Sequence, residues 1–278
     1  MTGNDRISAP PLHVSGGVRW DGLGLCPPLL SSQVPSSPRR PCMTQPSTDE
    51  RRQLVKYTFF RVDPSWRALS NQDKESHKRE LKAVVDEFRE PLTLRTYSTV
   101  GLRADTDFLL WSLSWELEPL QAFAAQVNRT AMARYLTTPH AYLAMTRKSP
   151  YNVAGRTAQS QGHQSRLTPP AKPYPYLIVY PFVKTHDWYQ LPQAERQRMM
   201  GQHFTIGHKY PNVRVNTTYS FGLDDQDHVV AFETTDLAEF LECVMELREA
   251  EQRKYTERDT PIFTCAQKPL REILDSLG

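Results

Sequence analysis

No stretch of this 278-residue chain is apolar for long enough to cross a bilayer; the longest run, Tyr176 to Val183, falls far short of the ~20 residues a spanning helix needs. No membrane partner is expected. Neither sign of charge dominates: 34 Lys and Arg stand against 31 Asp and Glu, a formal net charge of +3. That balance argues neither for nor against a polyanionic partner. No basic run is interleaved with aromatics, so nucleic acid is not expected either. Cysteine is scarce. Cys26, Cys42, Cys243 and Cys265 form no CxxC pair, which disfavours a zinc site or covalent cofactor attachment through paired thiols. They read as the reduced thiols of a cytoplasmic protein.

What is present is ordinary globular material, 39% hydrophobic and 23% charged, long enough for one large domain or two small ones. The exception is the N-terminus. Residues 1–47 hold eight of the 22 prolines, with Gly-Gly and Ser-Ser pairs and no periodicity. Such a composition cannot bury enough apolar area to offset the entropy of ordering. It also lacks the basic start and apolar centre of a secretory signal. MTQPSTDERRQLVKY, from Met43, reads like a natural protein start. The expectation is that translation begins there, or that residues 1–42 are a disordered tail.

The rest of the chain repeats itself. Trp66 opens WRALSNQDKESHKREL, and 122 residues later Trp188 opens WYQLPQAERQRMMGQH. TYSTVGLRADTDFLLW, around Gly101, lies 121 residues before TTYSFGLDDQDHVVAF, around Gly222. Each second block runs into a helical pattern, ending at Arg134-Tyr135 in one half and Lys254-Tyr255 in the other. Fixed-period self-similarity marks a repeated structural unit. Each half reads strand, helix, strand, strand, helix. In the second half the strands are Tyr176 to Phe182, Val213 to Phe221 and His228 to Glu233. The helices are Gln193 to His203, with Pro192 at its start, and Leu237 to Tyr255. Two sheets with helices outside can close on one another. The fold class is therefore α+β: a duplicated ferredoxin-like domain of the dimeric α/β-barrel type, with two antiparallel sheets. The halves run over 55–146 and 176–266. Between them lies a Gly-, Ser- and Pro-rich linker, 147–175, and residues 267–278 form a tail. A connection that long inside a domain is usually functional or mobile.

The halves differ at one telling position. His203 ends the predicted helix where the first half has Leu81. A histidine there suits the helix dipole, or it binds a metal as neutral imidazole. With no second ligand at helical spacing it cannot build a zinc site, whereas a haem iron asks for one axial ligand.

The run YLIVYPFVK, WYQLP, QRMMGQH, TIGHKY, TTYSFGLDDQD and VVAFE resembles the haem-binding half of the chlorite dismutase family, and about 210 residues from Val55 to Cys265 share in the resemblance. It implies that His203 is the proximal iron ligand. Tyr180-Pro181-Phe182-Val183-Lys184 resembles the coproheme decarboxylase branch, in which a tyrosine is followed four residues on by a lysine. That implies iron coproporphyrin III (coproheme) as cofactor and substrate, hydrogen peroxide as oxidant and haem b as product. Tyr180 would relay an electron hole to a propionate, and Lys184 would pair with that propionate or manage its proton. Taken without the resemblance, Tyr180 reads as an amphipathic core residue and Lys184 as a solvated one.

The same likeness makes Trp188 a pocket residue, though Trp66 shows the position also serves as core. It makes Arg248 a propionate contact, against a surface pair with Glu251, and Arg166 a further propionate contact. Glu249 or Glu251 would orient His203. The distal position falls on Val215, with Arg214 as the alternative, and strand alternation lets only one of them face the haem. Val215 favours the decarboxylase; Arg214 would favour chlorite chemistry. A non-enzymatic haem carrier would need His203 alone. The resemblance also implies a homo-oligomer, a pentamer in many decarboxylases, and a ferrochelatase as a partner.

Overall fold

Alternation sets the strands. Val55, Tyr57 and Phe59 are fully buried, while Leu54, Lys56 and Thr58 between them are half-covered, the period of two that a pleated strand imposes. The computed structural model describes residues 51–151 and 167–278. The expectations for residues 1–47, for most of the linker and for Arg166 lie outside them. The first half comprises β1 (Leu54–Val62), α1 (Asn71–Glu87), β2 (Thr93–Ser98), β3 (Phe108–Ser114), α2 (Leu117–Arg129) and β4 (Leu136–Met145). The second comprises β5 (Tyr176–Lys184), α3 (His186–Gln190), α4 (Gln193–Gly207), β6 (Val213–Tyr219), β7 (His228–Thr234), α5 (Leu237–Glu249), β8 (Thr256–Arg258) and β9 (Phe263–Gln267). A last helix, α6, spans Leu270–Asp275.

Each half is an antiparallel four-stranded sheet, β4-β1-β3-β2 in one and β6-β7-β5-β9 in the other. They join edge to edge at two seams, Met145 opposite Tyr219 and Tyr97 opposite Gln267. The sheet closes on itself, and closure removes the exposed edges that open sheets must protect. Inside sit Tyr57, Phe59, Trp111, Val179, Ala231 and Phe263, all but inaccessible to solvent. The outer face of the first half packs Phe60, Phe108 and Leu110 against Leu81 and Val85 of α1 and Phe123 of α2. Strand β3 is buried throughout because it faces the barrel interior on one side and helices on the other.

Three differences from the sequence reading have physical causes. Each half gains a fourth strand, β4 or β9. Pro139 and the exposed start of LTTPHAYLAM hide the first, and the second is only five residues long. The second helix of each half stops early. Thr130 and Ala250 are buried with extended backbones (ψ 148° and 143°), and a short 3₁₀ turn follows each. Residues 267–278 are not a free tail. Leu270, Ile273, Leu274 and Leu277 complete the first-half core, and Trp66 Nε1 donates to the Gly278 carbonyl at 3.1 Å. No described helix is long and apolar enough to cross a membrane.

Candidate haem-binding site

The outer face of the second sheet does not repeat this packing. Between it and helices α4 and α5 lies a cavity of about 680 Å³, within the range of pockets for sizeable organic ligands. Alternation brings Tyr180, Phe182 and Lys184 of β5 to its wall, with Val215, Thr217 and Tyr219 of β6 and His228, Val230 and Phe232 of β7. The opposite wall is one stripe of each helix: Arg196, Met200, His203 and Phe204 of α4, and Phe240, Cys243, Leu247 and Arg248 of α5. These repeat at the three- and four-residue spacing that puts side chains on one helix face.

His203 sits one turn before the end of α4, which runs on to Gly207 rather than closing at His203. Its Nδ1 lies 2.8 Å from the side-chain amide of Gln252. An amide can present oxygen or nitrogen by a half-turn. With oxygen toward the ring, Nδ1–H donates and Nε2 keeps its lone pair for a metal. Gln252 takes the orienting place expected for Glu249 or Glu251. Glu249 is exposed, and Glu251 is held by Arg198 at 2.8 Å and Lys254 at 3.3 Å. The extended backbone at Ala250 breaks the helix, and Gln252 follows it into the protein, buried. The repeat carried a signal for this partner: 120 residues earlier stands Met132, buried in the first-half core.

Lys184 is buried. Its Nζ donates to the Gln252 carbonyl at 3.0 Å and lies 4.5 Å from the centre of the Trp188 ring. Burial, then the charge of Arg253, bring its pKa down to about 8 against the pull of Asp227. It is thus engaged with the backbone of the same residue whose side chain contacts His203. Trp188 is buried against Tyr255 at 5.6 Å, as Trp66 is against Tyr135 at 5.7 Å; the two tryptophans share a structural role, and Trp188 also lines the cavity. Tyr180 stacks on Phe232 at 5.9 Å. Burial, with Asp259 adding to it, pushes its phenol far above the ordinary range, so it stays protonated. Arg248 pairs with Asp259 at 3.1 Å rather than with Glu251, and Arg253, which the sequence reading missed, pairs with the same carboxylate at 2.9 Å.

Alternation decides between Arg214 and Val215. Val215 faces the cavity. Arg214 points into the barrel, where Nη2 donates to the Thr168 carbonyl at 2.9 Å and Nε lies 3.7 Å from buried Glu233. The chemistry of the wall fits an iron porphyrin. Among the described residues no group of three or more His, Cys, Asp or Glu could cage a metal, but one oriented imidazole suffices for a porphyrin iron. Among the described residues the lining holds Arg147, Lys184, Arg196, Arg248 and Arg253 against one acidic side chain, Asp259, a balance that favours a ligand carrying several carboxylates.

Comparison with known proteins agrees with this geometry. The family model described as chlorite dismutase matches residues 74–268. The coproheme decarboxylase of Mycolicibacterium smegmatis is 33% identical over 182 residues, 65% of this chain and 75% of the relative. That of Staphylococcus carnosus is 29% identical over 209 residues, 69% and 82% of the two chains. The structure of chlorite dismutase from Candidatus Nitrospira defluvii in complex with imidazole superposes with a TM-score of 0.72 at 26% identity, covering 81% of this chain and 94% of that one. A closed barrel of two ferredoxin-like halves, a cavity beside the second sheet and a family match across both make this chain a member of the chlorite dismutase family.

Proposed function

We propose that the protein is a coproheme decarboxylase, converting two propionates of iron coproporphyrin III into vinyl groups to give haem b at the expense of hydrogen peroxide. Each propionate loses carbon dioxide, a β-hydrogen and two electrons; one peroxide accepts the electrons and leaves as two waters. The bound iron porphyrin supplies the oxidising centre for that exchange. The protein's part is to hold and to relay. His203 would ligate the iron, with Gln252 fixing its ring. The basic side chains of the wall would offset the propionate charges. Tyr180 gives up an electron more readily than an aliphatic side chain. Because its phenol is held protonated, it does so only as it releases its proton. Lys184, its pKa lowered to about 8 by burial, would exchange a proton with a carboxylate.

The observation that carries this reading is that Tyr180 on the sheet and His203 on the facing helix line the same cavity, while Val215 and not Arg214 shares that wall. The decarboxylase names of both relatives support it. Chlorite chemistry would find no arginine at that strand position. The test is mass spectrometry of the porphyrin after adding peroxide to the protein loaded with iron coproporphyrin III. Wild type is expected to show two successive losses of CO₂ and two hydrogens. Tyr180→Phe should bind the porphyrin as well, yet turn over at least ~100-fold more slowly, the scale on which loss of a participating group is felt. Binding without mass loss in wild type would leave a haem carrier or a peroxidase.

A further inference from the structure

His228 is a residue of the cavity that the reaction above leaves unused. It stands on β7 opposite Phe182 of β5 and Tyr219 of β6. The Tyr219 and Phe221 rings each lie 5.0 Å from its own, and Phe182 lies at 6.4 Å. Nδ1 is enclosed and has no hydrogen-bond partner. The residue is surrounded by protein yet keeps some accessible surface, and it lines the cavity. Of its two ring nitrogens only Nδ1 is both enclosed and unpartnered, so a ligand in the cavity that the residue lines is met through Nε2.

Burial brings the His228 pKa down to about 4, opposed by Asp227 and reinforced by Lys184. The ring is therefore neutral at physiological pH, with one N–H and one lone pair. A buried N–H without a partner is rarer than a bare acceptor. The proton then belongs on Nε2, and Nδ1 keeps the lone pair inside the aromatic frame. We propose that His228 donates a hydrogen bond from Nε2 to a carboxylate of the porphyrin, which rests on the function proposed above.

Two features of the surroundings select an anionic acceptor. Cations flank the rings that frame His228: Arg147 lies 5.6 Å from the centre of the Tyr219 ring, and Lys184 lies 5.3 Å from that of Phe182. The neighbouring carboxylate is turned to other donors: one oxygen of Asp227 accepts from the Lys184 backbone N–H at 2.8 Å and Tyr189 O–H at 2.7 Å. Tyr180 pairs with Val230, so His228 is its diagonal neighbour across β5 and β7, a separation of about 7–8 Å in such pairs. The carboxylate held by His228 thus belongs to the porphyrin edge that Tyr180 faces.

The test is direct binding. Iron coproporphyrin III is titrated into the full chain and into His228→Phe and His228→Gln. Phenylalanine should weaken binding about tenfold, the worth of one hydrogen bond to a charged group. Glutamine, which keeps an N–H donor, should stay within about threefold of wild type. In parallel, iron-free coproporphyrin III is added to wild type and the His228 ring N–H is followed by NMR, a measurement that holds even if a variant fails to fold. A shift to low field supports the contact. An unmoved resonance, or a phenylalanine variant that binds like wild type, overturns it. Failure of wild type to bind either porphyrin would overturn the proposed function itself, before any variant is compared.

Discussion

Gln252 and Lys184 can each be tested alone. Gln252 is the partner of His203 at 2.8 Å. Replacing it with leucine should lower iron-porphyrin affinity about tenfold, the low end for losing a group that orients a metal ligand, with the fold intact by circular dichroism. Lys184 makes a prediction about pH. Its folded pKa of about 8 lies below the ordinary 10.5. Between those values the unfolded chain holds a proton that the folded chain has released, so stability rises with pH there. Relative to Lys184→Met, whose contribution is flat, wild type should gain up to about 3 kcal/mol between pH 8 and 10.5. Urea unfolding at several pH values checks it, and a difference that shrinks with pH would contradict it. The sequence pointed to His203, Tyr180 and Trp188 through motif and repeat. It did not point to Gln252 or Arg253, because both follow a helix break at Ala250 whose cause is tertiary.

At the scale of elements, the two hairpins tell how far pattern reaches. Gly101 and Gly222, 121 residues apart in the repeat, both have positive φ, +75° and +70°. Gly222 opens the turn between β6 and β7, the strands that bring Val215 and His228 to the cavity. Gly222→Ala should cost about 1 kcal/mol, because a Cβ strains the left-handed conformation even though nothing crowds it there. The denaturant midpoint should fall with an unchanged slope. The turn residues and the flanking alternation made this hairpin legible. The closing strands β4 and β9 were not, since a strand with an exposed, proline-bearing start or only five residues lacks a period to read. Likewise residues 267–278 looked like a tail because their four apolar residues, Leu270, Ile273, Leu274 and Leu277, find their core in the other half of the molecule.

For the molecule as a whole, duplication followed by divergence explains both stability and site. The first half fills the space between sheet and helices with Leu81, Val85, Phe108, Leu110 and Met132. In the second half His203 and Gln252 stand where the repeat has Leu81 and Met132, and the same space is a cavity. One half is thus a scaffold, and the other trades core packing for a binding site. The two-half plan was visible in the sequence because both copies keep their tryptophan–tyrosine pairs and hairpin glycines. The cavity was not, because an empty space leaves no residue pattern of its own. The claim at the centre of this account is that His203 anchors the iron from the helix wall. The most direct measurement is the optical and EPR spectrum of the iron coproporphyrin III complex of His203→Ala beside wild type, with and without added imidazole. The account predicts loss of the nitrogen-ligated signature in the variant and its return with imidazole. A variant spectrum indistinguishable from wild type would contradict it.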